Sequence, residues 1–71
     1  MAHDVPIGDD SIRLGQFLKL ASLLDSGSDA KSAIADGQVT VNGDVEVRRG
    51  RQLHPGDTVT IGGESARVTQ G

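Results

Sequence analysis

The chain contains no cysteine, no tryptophan and no tyrosine, and a single phenylalanine, Phe17, among its 71 residues. Without cysteine there are no disulfides, no thiolate metal sites and no thiol nucleophile, and a reducing cytoplasm is a compatible setting. Without aromatics the core has to be built from Leu, Val, Ile and Ala, which suits a thin layer of helices on sheet. The stacking platforms used by readers of single-stranded nucleic acid are also missing. A domain of this size buries only about 60% of its unfolded surface, so no large enclosed active-site cavity is expected. No apolar run is long enough for a membrane span. Met1 to Ser11, with Asp4, Asp9, Asp10, Pro6 and Gly8, lacks the basic opening and apolar stretch of a signal peptide. The expectation is an acidic flexible tail over residues 1–11 and one domain over 12–71.

Positive charge is in deficit too, with a formal net charge of −3. Three of the ten acidic residues lie in the tail, which has no lysine or arginine. From Ser11 onward seven acids face seven bases, so distribution decides rather than the total. Three of those bases, Arg48, Arg49 and Arg51, fall within four residues.

Periodicity places the elements. Leu14, Phe17, Leu18, Ala21 and Leu24 mark one face of a helix over Ile12 to Leu24, with Ser11 as N-cap. Leu20 and Leu23 lie off that stripe, so they are either covered on a second side or exposed as a patch. Ser26 followed by Asp29 fits a capping box opening a second helix. Ala30, Ala33 and Ile34 form its narrow apolar stripe, and Gly37 ends it. Val39 and Val41, then Asn42-Gly43, then Val45 and Val47 read as a hairpin. A two-residue loop would put the two valine pairs on opposite faces, so an odd loop with a bulge is expected. Pro55-Gly56-Asp57 and Gly62-Gly63 are further turns, flanking Val59 and Ile61. The fold class is α+β: two N-terminal helices packed on a small, mainly antiparallel sheet of three to five short strands.

Catalytic and metal chemistry find no foothold in the sequence. His3 and His54 have no paired ligand spacing, and Asp57 follows a glycine in ordinary turn chemistry with no nucleophile nearby. The chain is read as a non-enzyme without cofactor, metal or small-molecule substrate. The arginine cluster is different, because planar, permanently charged forks in one loop can converge on phosphate. Pairing of Arg48 or Arg49 with Glu46 or Asp57 is the competing arrangement.

The ordered pattern S-x-x-D-A-K-x-x-I-x-x-G-x-V-x-V-N-G, a basic loop and G-D-x-V resembles the RNA-binding domain named after bacterial small-subunit ribosomal protein four, the alpha-L RNA-binding motif. L-G-Q-F-L-K at Leu14 to Lys19 and R-R-G-R at Arg48 to Arg51 resemble its small stand-alone bacterial members. The resemblance spans about Ile12 to Ile61. Many larger members carry aspartate and arginine where this chain has Gly15 and Gly27. The resemblance implies two helices on a small sheet, with a basic surface presented to structured RNA. Arg13, Gln16, Lys19, Lys31, Asn42, Arg48, Arg49 and Arg51 inherit candidate RNA-binding roles, with turn formation the first duty of Asn42. Ribosomal or transfer RNA, or a ribosomal particle, is the implied partner of a cytoplasmic monomer. The rival reading is a protein-interaction or regulatory module that uses Leu20, Leu23 and the acidic tail.

Overall fold

The structure is a computed structural model that describes residues 2–24 and 27–71. In chain order the elements are β1 (Ala2–Ile7), β2 (Ile12–Arg13), α1 (Leu14–Leu20), α2 (Gly27–Ala35), β3 (Val39–Val41), β4 (Asp44–Val45), β5 (Gln52–Leu53), β6 (Thr58–Ile61) and β7 (Glu64–Gln70). Five strands form one sheet in the order β1-β7-β6-β3-β4, and β2 pairs with β5 as a separate two-stranded ribbon. Every pairing is antiparallel except β1 with β7. The α+β class with two helices and a five-stranded sheet stands, but a strand, not a helix, opens the fold.

That opening strand corrects the expectation of a flexible tail over residues 1–11. Alternation along β1 buries Val5 and Ile7 while Asp4 and Pro6 face solvent. Val5 sits opposite Val68, and Asp4 opposite Arg67, whose guanidinium reaches the Asp4 carboxylate at 3.1 Å. Both partners of that pair are half exposed, so it contributes at most about 1 kcal/mol. Burying the two apolar side chains contributes more, at about 1.5–3 kcal/mol each. Pro6 is tolerated because β1 is an edge strand.

The first helix also begins and ends inside the expected span of Ile12 to Leu24. Ser11 is not its cap; the Ser11 hydroxyl lies 2.6 Å from Gln52 Oε1. The N-cap residue is Arg13, in extended conformation, and its side chain caps nothing. Backbone carbonyls from the arginine loop serve instead: Leu14 N–H donates to the Arg51 carbonyl at 2.9 Å and Gly15 N–H to the Arg49 carbonyl at 3.1 Å. At the far end Ser22 takes φ 59°, with Ser22 N–H bonded to the Lys19 carbonyl and Leu23 N–H to the Leu18 carbonyl. This is the Schellman pattern with serine in the place of glycine. Helix α2 ends the same way on the expected residue, Gly37 at φ 76°, with Gly37 N–H to Ile34 and Gln38 N–H to Ala33. The expected Ser26 cap lies outside the described residues.

The hairpin between β3 and β4 has an even, two-residue loop, not the expected odd loop. Val41 faces Asp44 and Thr40 faces Val45, with Asn42 at φ 53° and Gly43 at φ 89° in the left-handed pair a type I′ turn requires. The expectation failed because it assumed that all four valines seek the core. Val45 and Val47 are instead exposed, at 62% and 59%, and Glu46 is the residue turned inward, at 6%. The other turns behave as read: Gly56 at φ 102° after Pro55, and Gly62-Gly63 joining β6 to β7.

One core unites the layers. Leu14, Phe17 and Leu18 of α1 and Ile34 of α2 pack with Val39, Val41, Val59 and Val68 of the sheet, all essentially inaccessible. Leu53 of the ribbon joins them, which ties the end of the arginine loop to the core.

Candidate nucleic-acid interface

Between Val45 and Gln52 the chain leaves the sheet and crosses the entrance of α1 before pairing with β2. Two sets of contacts fix its path. Glu46 N–H donates to the Val39 carbonyl at 3.0 Å, extending the hairpin register, and the two helix-capping bonds pin the carbonyls of Arg49 and Arg51. Arg51 N–H closes a turn on the Arg48 carbonyl at 3.3 Å.

Inside this loop Glu46 gathers five hydrogen bonds. Its Oε2 accepts from the backbone N–H groups of Val47 and Arg48 and from Arg48 Nε, each at 3.1 Å. Its Oε1 accepts from Arg51 Nη1 at 2.9 Å and from Arg48 Nη2 at 3.3 Å. The Arg48 and Arg51 guanidiniums and the Arg48 N–H hold the Glu46 carboxyl down to about 2, against an ordinary 4.5. The same bond to Glu46 raises the Arg48 pKa further. A glutamate can therefore face inward here because its charge is neutralised locally.

Arg49 differs from its neighbours. It is exposed and forms no ion pair among the described residues. Its stem lies across Gly15: a Cβ added to Gly15 would stand 2.7 Å from Arg49 Cγ. Gly15 is buried there, a contact that neither the L-G-Q-F-L-K segment nor the low helix propensity of glycine announces in the sequence. The close approach depends on residues 48–51 folding back over α1, a long-range contact with no local signature.

The structure thus brings together Arg13 at the helix entrance, Gln16 beside Gly15, and Arg48, Arg49 and Arg51 on the loop. Of these side chains, the guanidiniums of Arg48 and Arg51 meet the Glu46 carboxylate. Gln16 and Lys19 share the exposed side of α1 one turn apart, where Leu20 is 51% exposed. Leu23 is half-buried against the core, so the off-stripe leucines do not form a shared surface patch. Lys31 is exposed on α2, and no ion pair among the described residues ties it to the arginine loop.

Asn42 stands in a different network. Its amide donates to Asp57 Oδ1 and its carbonyl accepts from Thr58 N–H, both at 3.0 Å, while Asp57 Oδ2 accepts from His54 N–H at 2.8 Å. Burial pushes the Asp57 carboxyl up, but the His54 N–H and Asn42 amide, with the charges of His54 and Arg51, bring it below its ordinary value. The V-N-G and P-G-D turns are thereby clasped together, which makes Asn42 and Asp57 structural partners. No group of three or more potential metal ligands occurs among the described residues. No helix among them is long and apolar enough to cross a membrane.

The S4 domain model matches residues 5–69, including the second half of β1 and the whole arginine loop. The chain belongs to the S4 domain family. It is 46% identical over 63 residues to the "Probable ribosome maturation protein RlbA" of Bacillus subtilis (strain 168), covering 89% of each chain. It is 44% identical over 57 residues to the "Putative RNA-binding protein YbcJ" of Escherichia coli (strain K12), covering 80% of this S4 domain and 81% of YbcJ. The solution structure of YbcJ, described as revealing an alpha-L motif involved in RNA binding, superposes with a TM-score of 0.74 at 37% identity, over 97% of this chain and 89% of that one. The 30S ribosomal protein S4e of Thermoplasma acidophilum gives a TM-score of 0.64 at 28% identity, over 83% of this chain and 31% of that one. The family resemblance drawn from the V-N-G, R-R-G-R and G-D-x-V segments is correct.

Proposed function

We propose that this S4 domain is a non-catalytic RNA-binding module that recognises structured RNA, ribosomal RNA or a ribosome assembly intermediate above all, through the basic face formed by the α1 entrance and the arginine loop. The observation that carries this reading is the placement of Arg49: exposed, without an ion pair among the described residues, and with its stem laid over Gly15 at the entrance of α1. Guanidiniums fixed to a rigid backbone fit phosphates held at set spacing, as in an RNA helix, better than a mobile strand. The names of RlbA and YbcJ support the same target class. Arg13, Gln16, Arg49 and Arg51 are the strongest contact candidates, with Lys19 extending the face along α1 and Arg48 contributing the N–H groups that Glu46 leaves unused. Lys31 is a peripheral candidate, and Asn42 acts through the turn it holds. The reading implies a cytoplasmic monomer acting on ribosomal particles. Protein contact through Leu20 and Leu23 has less support, because Leu23 packs inward.

The test is the salt dependence of binding to a structured ribosomal RNA hairpin. Arg49→Glu should weaken binding similarly across hairpin sequences and lower the salt slope by about one unit or slightly more. Unchanged affinity and slope would remove the arginine loop from the interface.

A further inference from the structure

We propose that Glu46 is a positioning residue for RNA contact, its inward carboxylate fixing the loop and the guanidiniums of Arg48 and Arg51 in the geometry from which they meet phosphate. The inference rests on the RNA-binding reading above and gives the one acidic group in that loop a favourable part in it.

Charge alone argues the opposite. A carboxylate beside a phosphate site repels the ligand, so by Coulomb's law its removal should tighten binding. Accessibility separates the two signs, however: the Glu46 side chain is 8% exposed, whereas those of Arg48 and Arg51 are 74% and 33% exposed. The negative group is inside the turn and the positive groups are on its outside. Five donors from three residues meet on the one carboxylate, two of them backbone N–H groups, so main chain and side chains are fixed by the same group.

The donors left over are what an anion would use. A guanidinium has five N–H groups. Among the described residues Arg48 commits its Nε and Nη2 to Glu46 and Arg51 commits only Nη1, so each retains N–H groups with no partner there. An arginine already held loses less conformational freedom on binding than one mobile in solvent. The arrangement also places Arg49, since the turn from Arg48 to Arg51 sets where the Arg49 carbonyl meets Gly15 N–H.

The experiment measures affinity for a structured ribosomal RNA hairpin in the full chain, under conditions where amide spectra show the core around Leu53, Val59 and Val68 unchanged. Glu46→Gln should weaken binding about tenfold, the worth of one charged hydrogen bond, although it removes a negative charge. In an Arg51→Gln background the same change should cost much less, because Glu46 acts through that arginine; a general structural role would cost the same in both. Glu46→Asp, which keeps the charge but withdraws the carboxylate by one methylene, supplies a second variant and should weaken binding several-fold. Arg49→Gln separates the two levels of the reading. If Arg49→Gln weakens binding while Glu46→Gln and Glu46→Asp match or exceed wild type, positioning is wrong and the RNA reading stands. If all three leave affinity unchanged, the loop is not the RNA site and both readings fall.

Discussion

Replacing Gly15 with alanine tests whether the arginine loop lies on α1. Glycine in a helix costs about 0.5–1 kcal/mol relative to alanine, and in the first turn the lower end of that range applies. Gly15 has no left-handed φ to protect, so backbone strain does not oppose the change. The opposing effect is steric: the new Cβ would stand 2.7 Å from Arg49 Cγ, closer than real Cβ atoms come, and 3.7 Å from the Arg49 carbonyl oxygen. Arg49 must shift, and the Gly15 N–H bond to its carbonyl at 3.1 Å lengthens. Overpacking of this kind costs about 1–3 kcal/mol, more than the helix gains. Gly15→Ala should therefore lower stability by about 0.5–2 kcal/mol, a fall of roughly 4–8 °C in Tm per kcal/mol for a domain of this length. Amide signals of residues 48–51 should move with it. Thermal melts followed by circular dichroism, together with amide spectra, read both effects. A rise in Tm of several degrees with unmoved loop signals would refute the close approach.

Other contacts make equally direct predictions. Ile7→Ala should cost about 2–4 kcal/mol by chemical denaturation, because Ile7 of β1 is 4% exposed; no change would restore the flexible-tail picture. Asn42→Ala should destabilise by about 1–3 kcal/mol through loss of the Asp57 and Thr58 bonds and strain at φ 53°, while the folded variant keeps wild-type RNA affinity. The Glu46 carboxyl has a folded-state pKa of about 2, below the ordinary 4.5, so its stabilising contribution is complete above about pH 4.5 and is lost as pH falls through 2. Glu46→Gln should accordingly flatten that part of an acid titration followed by circular dichroism, and an unaltered profile would contradict the pairing.

The sequence was most legible where structure is local. Gly37 ends α2 through bonds reaching back only a few residues, and Asn42-Gly43 and Gly62-Gly63 turn the chain by their own left-handed conformations. It was least legible where the partner is distant. β1 pairs with β7 some 60 residues later, and its two buried residues with a proline between them give too weak an alternation to mark a strand. The start of α1 is set by carbonyls of Arg49 and Arg51, so Ser11 looked like a cap without serving as one. At the candidate site, charge density marked the arginines and a Glu46 partner for Arg48 was foreseen. What V-E-V alternation could not settle was parity: whether the valines or Glu46 turn inward depends on two arginines waiting to neutralise a carboxylate.

The central claim is that RNA meets this S4 domain at the entrance of α1 and the arginine loop. The most direct measurement is a residue-resolved NMR titration of the protein with a structured ribosomal RNA hairpin at two salt concentrations. The predicted result is amide shifts concentrated at Arg13, Gln16, Lys19 and residues 48–51, diminishing at the higher salt. Shifts centred on Val45 and Val47, or none in the arginine loop, would contradict it.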